Sequence, residues 1–251
     1  MLSLMKSNKD VGLYNLAYKF IELSILLVPG TIMVSIFPVM SEQFKNNKNK
    51  LNTLVQKTFD TMIITSVFIA FITILSAEII ISFLGGVEFK GSVFSLQILI
   101  FGAIFIFLGN IFGFLLISAG MQRLNLMTDF IGCVLNISLN LYLIKNFSFI
   151  GASVSTVITQ AGVLFIAMAF TSKYLNININ FQIIKKISII ALLIFAEILL
   201  LKYFYFNIYV IIFISTLTYF LLIFVFKCLL VKEVKQIIKE GLVKLGLRSS
   251  F

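Results

Sequence analysis

The chain has 251 residues, of which 60% are hydrophobic and only 12% are charged, and its mean hydropathy is +1.10. Soluble globular proteins have roughly 45–50% apolar and about 25% charged residues, so this composition excludes a water-soluble enzyme. The net charge is +10, and the Lys and Arg residues that produce it lie between apolar runs. This placement argues against nucleic acid as a partner. Because the chain has no His and only two Cys, the sequence predicts no metal site, no cofactor and no catalytic residues.

Seven apolar runs follow one another along the chain, and each is close to the ~20 residues that an α-helix needs to cross a bilayer. The sequence therefore predicts an all-α polytopic membrane protein with about seven transmembrane helices and short loops. We treat residues 1–251 as a single membrane domain. The predicted spans are residues 13–37, 59–83, 93–117, 126–144, 150–170, 187–203 and 208–226.

Positive charge is distributed unevenly over the two sets of loops between these spans. Alternate connections and the C-terminal tail hold fourteen Lys and Arg residues, whereas the opposite set of loops holds five. Because cytoplasmic loops carry the excess of Lys and Arg, we expect a cytoplasmic C-terminus and an external Met1. Residues 1–10 lack the pattern of a cleavable signal, so we also expect an upstream segment that this chain lacks.

The first span carries charges and helix-disrupting residues. Lys19 and Glu22 are one turn apart and able to pair, while Pro29-Gly30 and Pro38 interrupt the helical hydrogen-bond ladder. A bent, charged helix is typical of a moving gate or hinge. A lysine near the outer end of a span also snorkels to the interface, and prolines are common in membrane helices, so both interpretations stay open.

Span four carries four polar side chains at helical spacing, i, i+4, i+7 and i+11. They share one face about 16 Å long, at ~1.5 Å per residue. Such groups at bilayer depth need protein or water beside them, so the stripe lines either a cavity or a polar interface between helices. Asn110 and Gln160, in spans three and five, are secondary cavity candidates because an amide in lipid needs a partner. The stripe comprises Asp129, Cys133, Asn136 and Asn140.

The C-terminal tail, residues 232–248, has apolar residues at helical spacing against four lysines. This pattern is typical of a basic amphipathic helix that lies on anionic lipid at the cytoplasmic surface. A solvated tail is the alternative that this composition leaves open. We therefore expect membrane lipids among the partners of the chain.

Several short motifs occur in a fixed order between residues 10 and 174. They are DVGLYNLAYK at residues 10–19, Phe37-Pro38 with Ser41, FLGG at 83–86, SAG at 118–120, LNLYLI at 139–144 and IGASVST at 150–156. Together these stretches resemble the polysaccharide flippases of the multidrug/oligosaccharidyl-lipid/polysaccharide export superfamily. The resemblance is strongest to the Wzx-type flippases of O-antigen and capsule repeat units.

The resemblance implies a fold of two six-helix lobes around a central cavity, with two extra C-terminal helices. This chain then corresponds to helices eight to fourteen of the family. Residues 13–174 are expected to form helices eight to twelve of the C-terminal lobe, and residues 183–228 the two additional helices. The N-terminal lobe is expected to be missing, either because the chain is a truncated product or because a partner chain supplies that lobe.

The resemblance also implies a function. Such a protein moves an undecaprenyl-diphosphate-linked oligosaccharide from the inner to the outer leaflet by alternating access, in lipopolysaccharide or capsule biosynthesis at the bacterial inner (plasma) membrane. It makes and breaks no bond, so it is not an enzyme. Apart from Lys202 at the end of span six, Lys19 is the only cation within a predicted span, and it would be the partner of an anionic headgroup. The alternatives are a cation-coupled multidrug exporter of the same fold and a non-transporting membrane assembly subunit.

Overall fold

The computed structural model describes residues 1–228, which form helices and no strand. The predicted basic tail, residues 232–248, lies outside these described residues. A π-helical turn, Leu26–Gly30, joins α2 to α3, and a 3-10 turn, Val87–Phe89, lies between α4 and α5. The α-helices are α1 (Leu2–Met5), α2 (Asn8–Ile25), α3 (Thr31–Asn46), α4 (Lys48–Gly85), α5 (Ser92–Ser118), α6 (Gln122–Leu175), α7 (Gln182–Tyr203) and α8 (Ile208–Val225).

Helix length and composition match a chain that crosses the membrane several times. Every 18-residue window of α7 contains at least three of its four charged residues, and this charge separates α7 from the more apolar helices. The five segments that are long and apolar enough to cross a membrane are Asn8–Asn46, Lys48–Gly85, Ser92–Ser118, Gln122–Leu175 and Ile208–Val225.

The 54-residue helix α6 consists of two membrane-length helices joined at a sharp break. A straight helix of this length would measure about 80 Å, against a hydrocarbon core of ~30 Å. Ser148 has φ 52° and ψ −133°, far from helical values, and separates a first arm (residues 122–147) from a second arm (residues 149–175). The two arms, with α2–α3, α4, α5, α7 and α8, confirm the prediction of an all-α polytopic membrane protein with about seven spanning helices.

The two arms of α6 pack as antiparallel neighbours. A Cβ atom added at Gly132 of the first arm would lie 2.5 Å from a side chain of the second arm, so the arms are in close contact there. One turn further along the first arm, the Asn136 amide donates to the Thr159 hydroxyl. Another turn along, Asn140 accepts a hydrogen bond from Ser155. As the residue number rises along the first arm, the residue number of its contact in the second arm falls, as expected for antiparallel helices.

Helix α5 lies at the centre of the first five spans. It packs against α2, α3, α4 and α6, and half of its most apolar window is buried, compared with 17–33% for the other four candidate spans. Phe107 and Phe112 are fully buried, and Phe59 of α4 meets Phe112 edge-on with ring centroids 6.4 Å apart. The hydroxyls of Ser95 and Ser153 hydrogen-bond to each other and connect α5 to the second arm of α6. A helix that is apolar all round is expected in this central position.

The chain divides after Asn180 into two compact units. The described part of the second unit is the hairpin of α7 and α8. The Thr218 hydroxyl of α8 donates to the carboxyl group of Glu197 in α7 at 2.7 Å. At the other end, Nζ of Lys186 donates to the carbonyl oxygen of Phe226 at 3.0 Å. These polar groups in apolar helices are therefore paired within the hairpin, as a low-dielectric environment requires.

Candidate functional site

A cavity of about 360 Å³ lies in the first compact unit, between α2 and the two arms of α6. Its volume falls in the range of ~300–1,000 Å³ that is usual for small-ligand sites. Seven of the ten side chains that line it carry a nitrogen or oxygen atom. Because these helices are apolar overall, this concentration of polar groups marks the cavity as the candidate site.

Helix α2 contributes two tyrosines to the cavity wall. Tyr14 and Tyr18 are one turn apart, and their rings stack with centroids 5.7 Å apart and an interplanar angle of 14°. The Tyr14 hydroxyl hydrogen-bonds the Thr156 hydroxyl of the second arm at 3.0 Å. Thr156 donates to the carbonyl oxygen of Ala152 at 2.9 Å, so Tyr14 donates to Thr156. The lone pairs of the Tyr14 oxygen are left to accept from a ligand.

The first arm of α6 contributes the first three residues of the predicted polar stripe to the cavity. Asp129, Cys133 and Asn136 line the cavity, and Gly132 lies beside them. The Asp129 carboxylate accepts a hydrogen bond from the Asn125 amide at 3.4 Å. Asp129 forms no ion pair with any residue between 1 and 228. The cavity therefore contains a carboxylate whose charge is not neutralised locally.

The last two residues of the stripe, Asn136 and Asn140, connect the two arms by hydrogen bonds. Nδ2 of Asn136 donates to Thr159 at 3.1 Å, and Nδ2 of the buried Asn140 donates to Oδ1 of Asn136 at 2.7 Å. Ser155 donates to Oδ1 of Asn140. The sequence left two alternatives open for this stripe, a cavity or a polar interface. In the structure both alternatives apply to different parts of the stripe. Asp129, Cys133 and Asn136 line the cavity, whereas Asn140 lies outside its lining, in the polar interface between the two arms.

The second arm of α6 completes the wall with Thr156, Thr159, Gln160 and Val163. Gln160 is half-buried, and its amide makes no hydrogen bond with any of the described residues. An amide has two N–H donors and an oxygen that accepts twice. Gln160 therefore adds hydrogen-bonding capacity to the cavity that no residue between 1 and 228 uses.

Besides Asn140, three residues predicted for the binding site do not line this cavity. Lys19 and Glu22 lie on α2 but are exposed, and no ion pair joins them in the described part of the chain. At ~100° per residue, Lys19 is about 140° round the helix from Tyr14, which explains why it faces away. Asn110 is half-buried on α5, outside the lining. A position within a span thus indicates depth in the bilayer but not the direction of the side chain.

Two of the three residues predicted as a gate or hinge lie where α2 meets α3. Pro29 and Gly30 belong to the π-helical turn between these helices, whereas Pro38 lies inside α3, which stays continuous. A proline has no N–H to donate to the helical ladder, so a local change of helical geometry at Pro29 has a clear cause. Movement at this turn remains a prediction.

Sequence reasoning missed the two tyrosines as part of the site. The spacing of Tyr14 and Tyr18 places both rings on one face of α2, a pattern that is visible in the sequence. Their partner Thr156 is 142 residues further along, so only the folded chain brings the three side chains together. An aromatic pair one turn apart, beside a polar stripe elsewhere in the chain, is the signal that could have found them.

The family model described as MatE matches residues 1–142, more than half of the chain. The chain belongs to the MatE family. Two of the three cavity walls, those from α2 and from the first arm of α6, lie within the matched residues. The predicted resemblance to the export superfamily is therefore confirmed at the level of the family, while the Wzx-type assignment stays a prediction.

The chain is also similar to two further proteins. An uncharacterized membrane protein of Methanocaldococcus jannaschii is 30% identical over 216 residues, which cover 82% of this chain and 41% of that protein. The lipid II flippase MurJ, in an inward closed conformation, matches with a TM-score of 0.70 at 18% identity over 86% of this chain and 47% of its own. The likeness to MurJ shows a shared fold. The chain spans less than half the length of both proteins.

Proposed function

We propose that this chain is one lobe of a flippase that moves a lipid-linked oligosaccharide, of the undecaprenyl-diphosphate type, from the inner to the outer leaflet. The polar cavity between α2 and the two arms of α6 is the observation that carries the proposal. Polar groups inside a membrane protein are costly and mark the path of a polar substrate. Membership of the MatE family and the fold shared with a flippase support a transporter of this kind.

The chemistry of the cavity favours a ligand that is rich in hydroxyl groups. The unpartnered Gln160 amide and the free lone pairs of Tyr14 offer donors and acceptors at different points of the wall. The stacked rings of Tyr14 and Tyr18 add apolar surface, against which the C–H face of a sugar ring packs. A glycan presents both kinds of surface, whereas a hydrocarbon tail presents only one.

A second lobe is part of this proposal. Alternating access requires two helix bundles that move against each other around a shared site, and the described walls come from one bundle. A cavity of about 360 Å³ accommodates part of a glycan and leaves the rest of the substrate to other walls. We propose that an N-terminal lobe or a partner chain supplies them, in a bacterial inner membrane with the C-terminus of this chain in the cytoplasm.

A translocation assay in inverted membrane vesicles from the source cells tests the proposal, because the chain then remains in its native assembly. A fluorescent undecaprenyl-diphosphate oligosaccharide is added to the outside, which corresponds to the cytoplasmic leaflet, and its protection from an external quencher is followed. We expect Gln160→Ala to slow translocation at least fivefold, because the free amide is then lost. Vesicles from cells that lack the gene define the background rate.

Asn110→Ala is the matched control for this variant. Asn110 is also a half-buried amide in a membrane span, but it does not line the cavity. We expect it to keep the wild-type rate when both variants are present at equal abundance. If wild-type vesicles do not exceed the background, the proposed function is wrong. If Asn110→Ala is the slow variant and Gln160→Ala is normal, the cavity is not the substrate path.

One observation favours a second candidate function, the export of organic cations. Asp129 is a carboxylate with no cation beside it among the described lining residues, and it lines the same cavity as Tyr14 and Tyr18. An acidic group beside aromatic rings also suits a cationic ligand, through charge attraction and cation–π contact. For this candidate, Asp129→Asn should abolish export of a cationic dye. The flippase proposal expects the same variant to keep moving an uncharged glycan.

A further inference from the structure

The charge distribution over the cavity wall carries an inference about which glycans the site accepts. Among the described residues that line the cavity, Asp129 is the only Asp, Glu, Lys or Arg. Its single hydrogen bond from a residue between 1 and 228 comes from the neutral amide of Asn125, at 3.4 Å. The wall therefore presents one negative charge and no positive charge to whatever enters.

Within residues 1–228, no Lys or Arg of α2 or of the two arms of α6 forms an ion pair with Asp129. On the first arm, Arg123 precedes Asp129 by six residues, which places it ~9 Å away along the axis and about 120° round the helix. On α2, Lys19 is exposed and faces away from the tyrosines of the wall. The second arm contributes Thr156, Thr159, Gln160 and Val163, none of which carries a charge.

Two electrostatic effects would weaken the binding of a ligand that places a negative group at this wall. Two like charges repel each other, and a charged group that enters the cavity gives up part of its own hydration. The faces of the Tyr14 and Tyr18 rings are also negative in their quadrupole and give an anion no compensation. A neutral sugar can instead donate a hydroxyl hydrogen to the carboxylate, and an ammonium group can pair with it.

We propose that Asp129 acts as a charge filter: the cavity accepts neutral and amino sugars and rejects sugars that carry a carboxylate. The inference rests on the proposed function and identifies the class of glycan that this site takes. Repulsion of the wrong ligand is a common means of specificity, and here a single side chain provides it. The diphosphate of the carrier lipid, which is also anionic, then lies outside this cavity.

The test compares three probe lipids in the same inverted vesicles. All have the undecaprenyl-diphosphate carrier and a trisaccharide whose second sugar is glucose, glucuronate or glucosamine with a free amine. We expect wild-type vesicles to move the glucose and glucosamine probes at least tenfold faster than the glucuronate probe. In Asp129→Asn, the ratio of the glucose rate to the glucuronate rate should fall to about threefold or less, because the repulsion is then removed.

Two further variants separate the filter from a merely structural role of Asp129. Asp129→Glu keeps the charge and should keep the tenfold preference. Glu78→Gln removes an exposed carboxylate of α4 that does not line the cavity, and it should leave all three rates unchanged. Each variant is compared at equal abundance in the membrane.

The outcomes separate this inference from the proposed function. If wild-type vesicles move the glucose and glucuronate probes equally, the filter is wrong while the flippase proposal stands. A preference that persists in Asp129→Asn overturns the filter in the same way, because another group must cause it. If none of the probes is moved above background, the proposed function fails and the filter fails with it.

Discussion

Asn140 illustrates how a single residue supports both the fold and the site. Its amide donates to Asn136 at 2.7 Å and accepts from Ser155, so it connects the two arms of α6 just outside the cavity lining. Asn136 in turn lines the cavity and donates to Thr159. The orientation of a cavity residue therefore depends on a buried amide that no ligand touches.

Replacing Asn140 by alanine should destabilise the protein by about 1–2 kcal/mol, because Asn136 and the fully buried Ser155 each lose a hydrogen-bond partner. The measurement is the unfolding equilibrium in detergent, compared with wild type. Asn146→Ala is the control, since Asn146 is an exposed amide that donates only to the Tyr142 carbonyl oxygen. A loss of stability as large in Asn146→Ala as in Asn140→Ala would contradict the role given to the buried amide.

The candidate site was only partly predictable from the sequence. The four-residue stripe of the first arm follows from helical spacing and from the cost of polar groups in lipid, so its common face was foreseeable. Lys19 was assigned to the cavity because of its charge, but the rotation of α2 about its axis is decided by packing against α5 and α6. Local periodicity contains no information about that rotation.

At the level of the elements, the closeness of the two arms of α6 depends on small residues. A Cβ atom at Gly132 would lie 2.5 Å from Cγ2 of Val163, closer than packed carbon atoms can approach. Gly132 also lines the cavity, so its lack of a side chain permits both the contact and the space. The length of the cavity wall is set by the antiparallel arrangement of the arms.

Gly132→Ala should therefore force the arms apart and cost about 1–3 kcal/mol, as overpacking of a tight contact does. Gly109→Ala in α5 is the matched control, because a Cβ atom there meets nothing within 4 Å. The control should be neutral or slightly stabilising, since alanine has the higher helix propensity. Unfolding in detergent measures both variants. Equal stability of the two would show that the arms are not in close contact at Gly132.

The helices themselves were largely foreseeable, and their connections were not. Runs of about 20 apolar residues predict spans because backbone groups in lipid must bond within a helix. The sequence did not reveal that a single residue, Asn47, would join α3 to α4, with its side chain accepting from the Lys50 N–H at 3.0 Å. Nor did it show that one residue, Ser148, would interrupt α6. Both features depend on local backbone geometry that hydropathy does not encode.

At the scale of the whole molecule, the distribution of positive charge predicts the orientation of the chain. Cysteines introduced at Asn46 and Asn176 should be protected from a membrane-impermeant thiol reagent in intact cells, whereas one at Asn207 should react. All three side chains are exposed, at helix ends, so burial in the protein does not explain protection. Cys133 and Cys228 are first replaced by Ser.

Permeabilised cells provide the control for this experiment, because all three positions should then react. Labelling of Asn46→Cys in intact cells would reverse the orientation, since it would place the most basic loop outside. In that case the proposed direction of transport, from the inner to the outer leaflet, would lose the support that the topology gives it.

The central claim is that the cavity between α2 and α6 holds the glycan of a lipid-linked oligosaccharide. Native Cys133 lines this cavity and is exposed, so it reports on occupancy without a change to the wall. The most direct measurement is the rate of maleimide labelling of Cys133 in the Cys228→Ser protein, in the native vesicles. We expect saturating undecaprenyl-diphosphate oligosaccharide to slow labelling at least fivefold and the carrier lipid without sugar to leave it unchanged. Equal labelling rates with and without the glycolipid would contradict the claim.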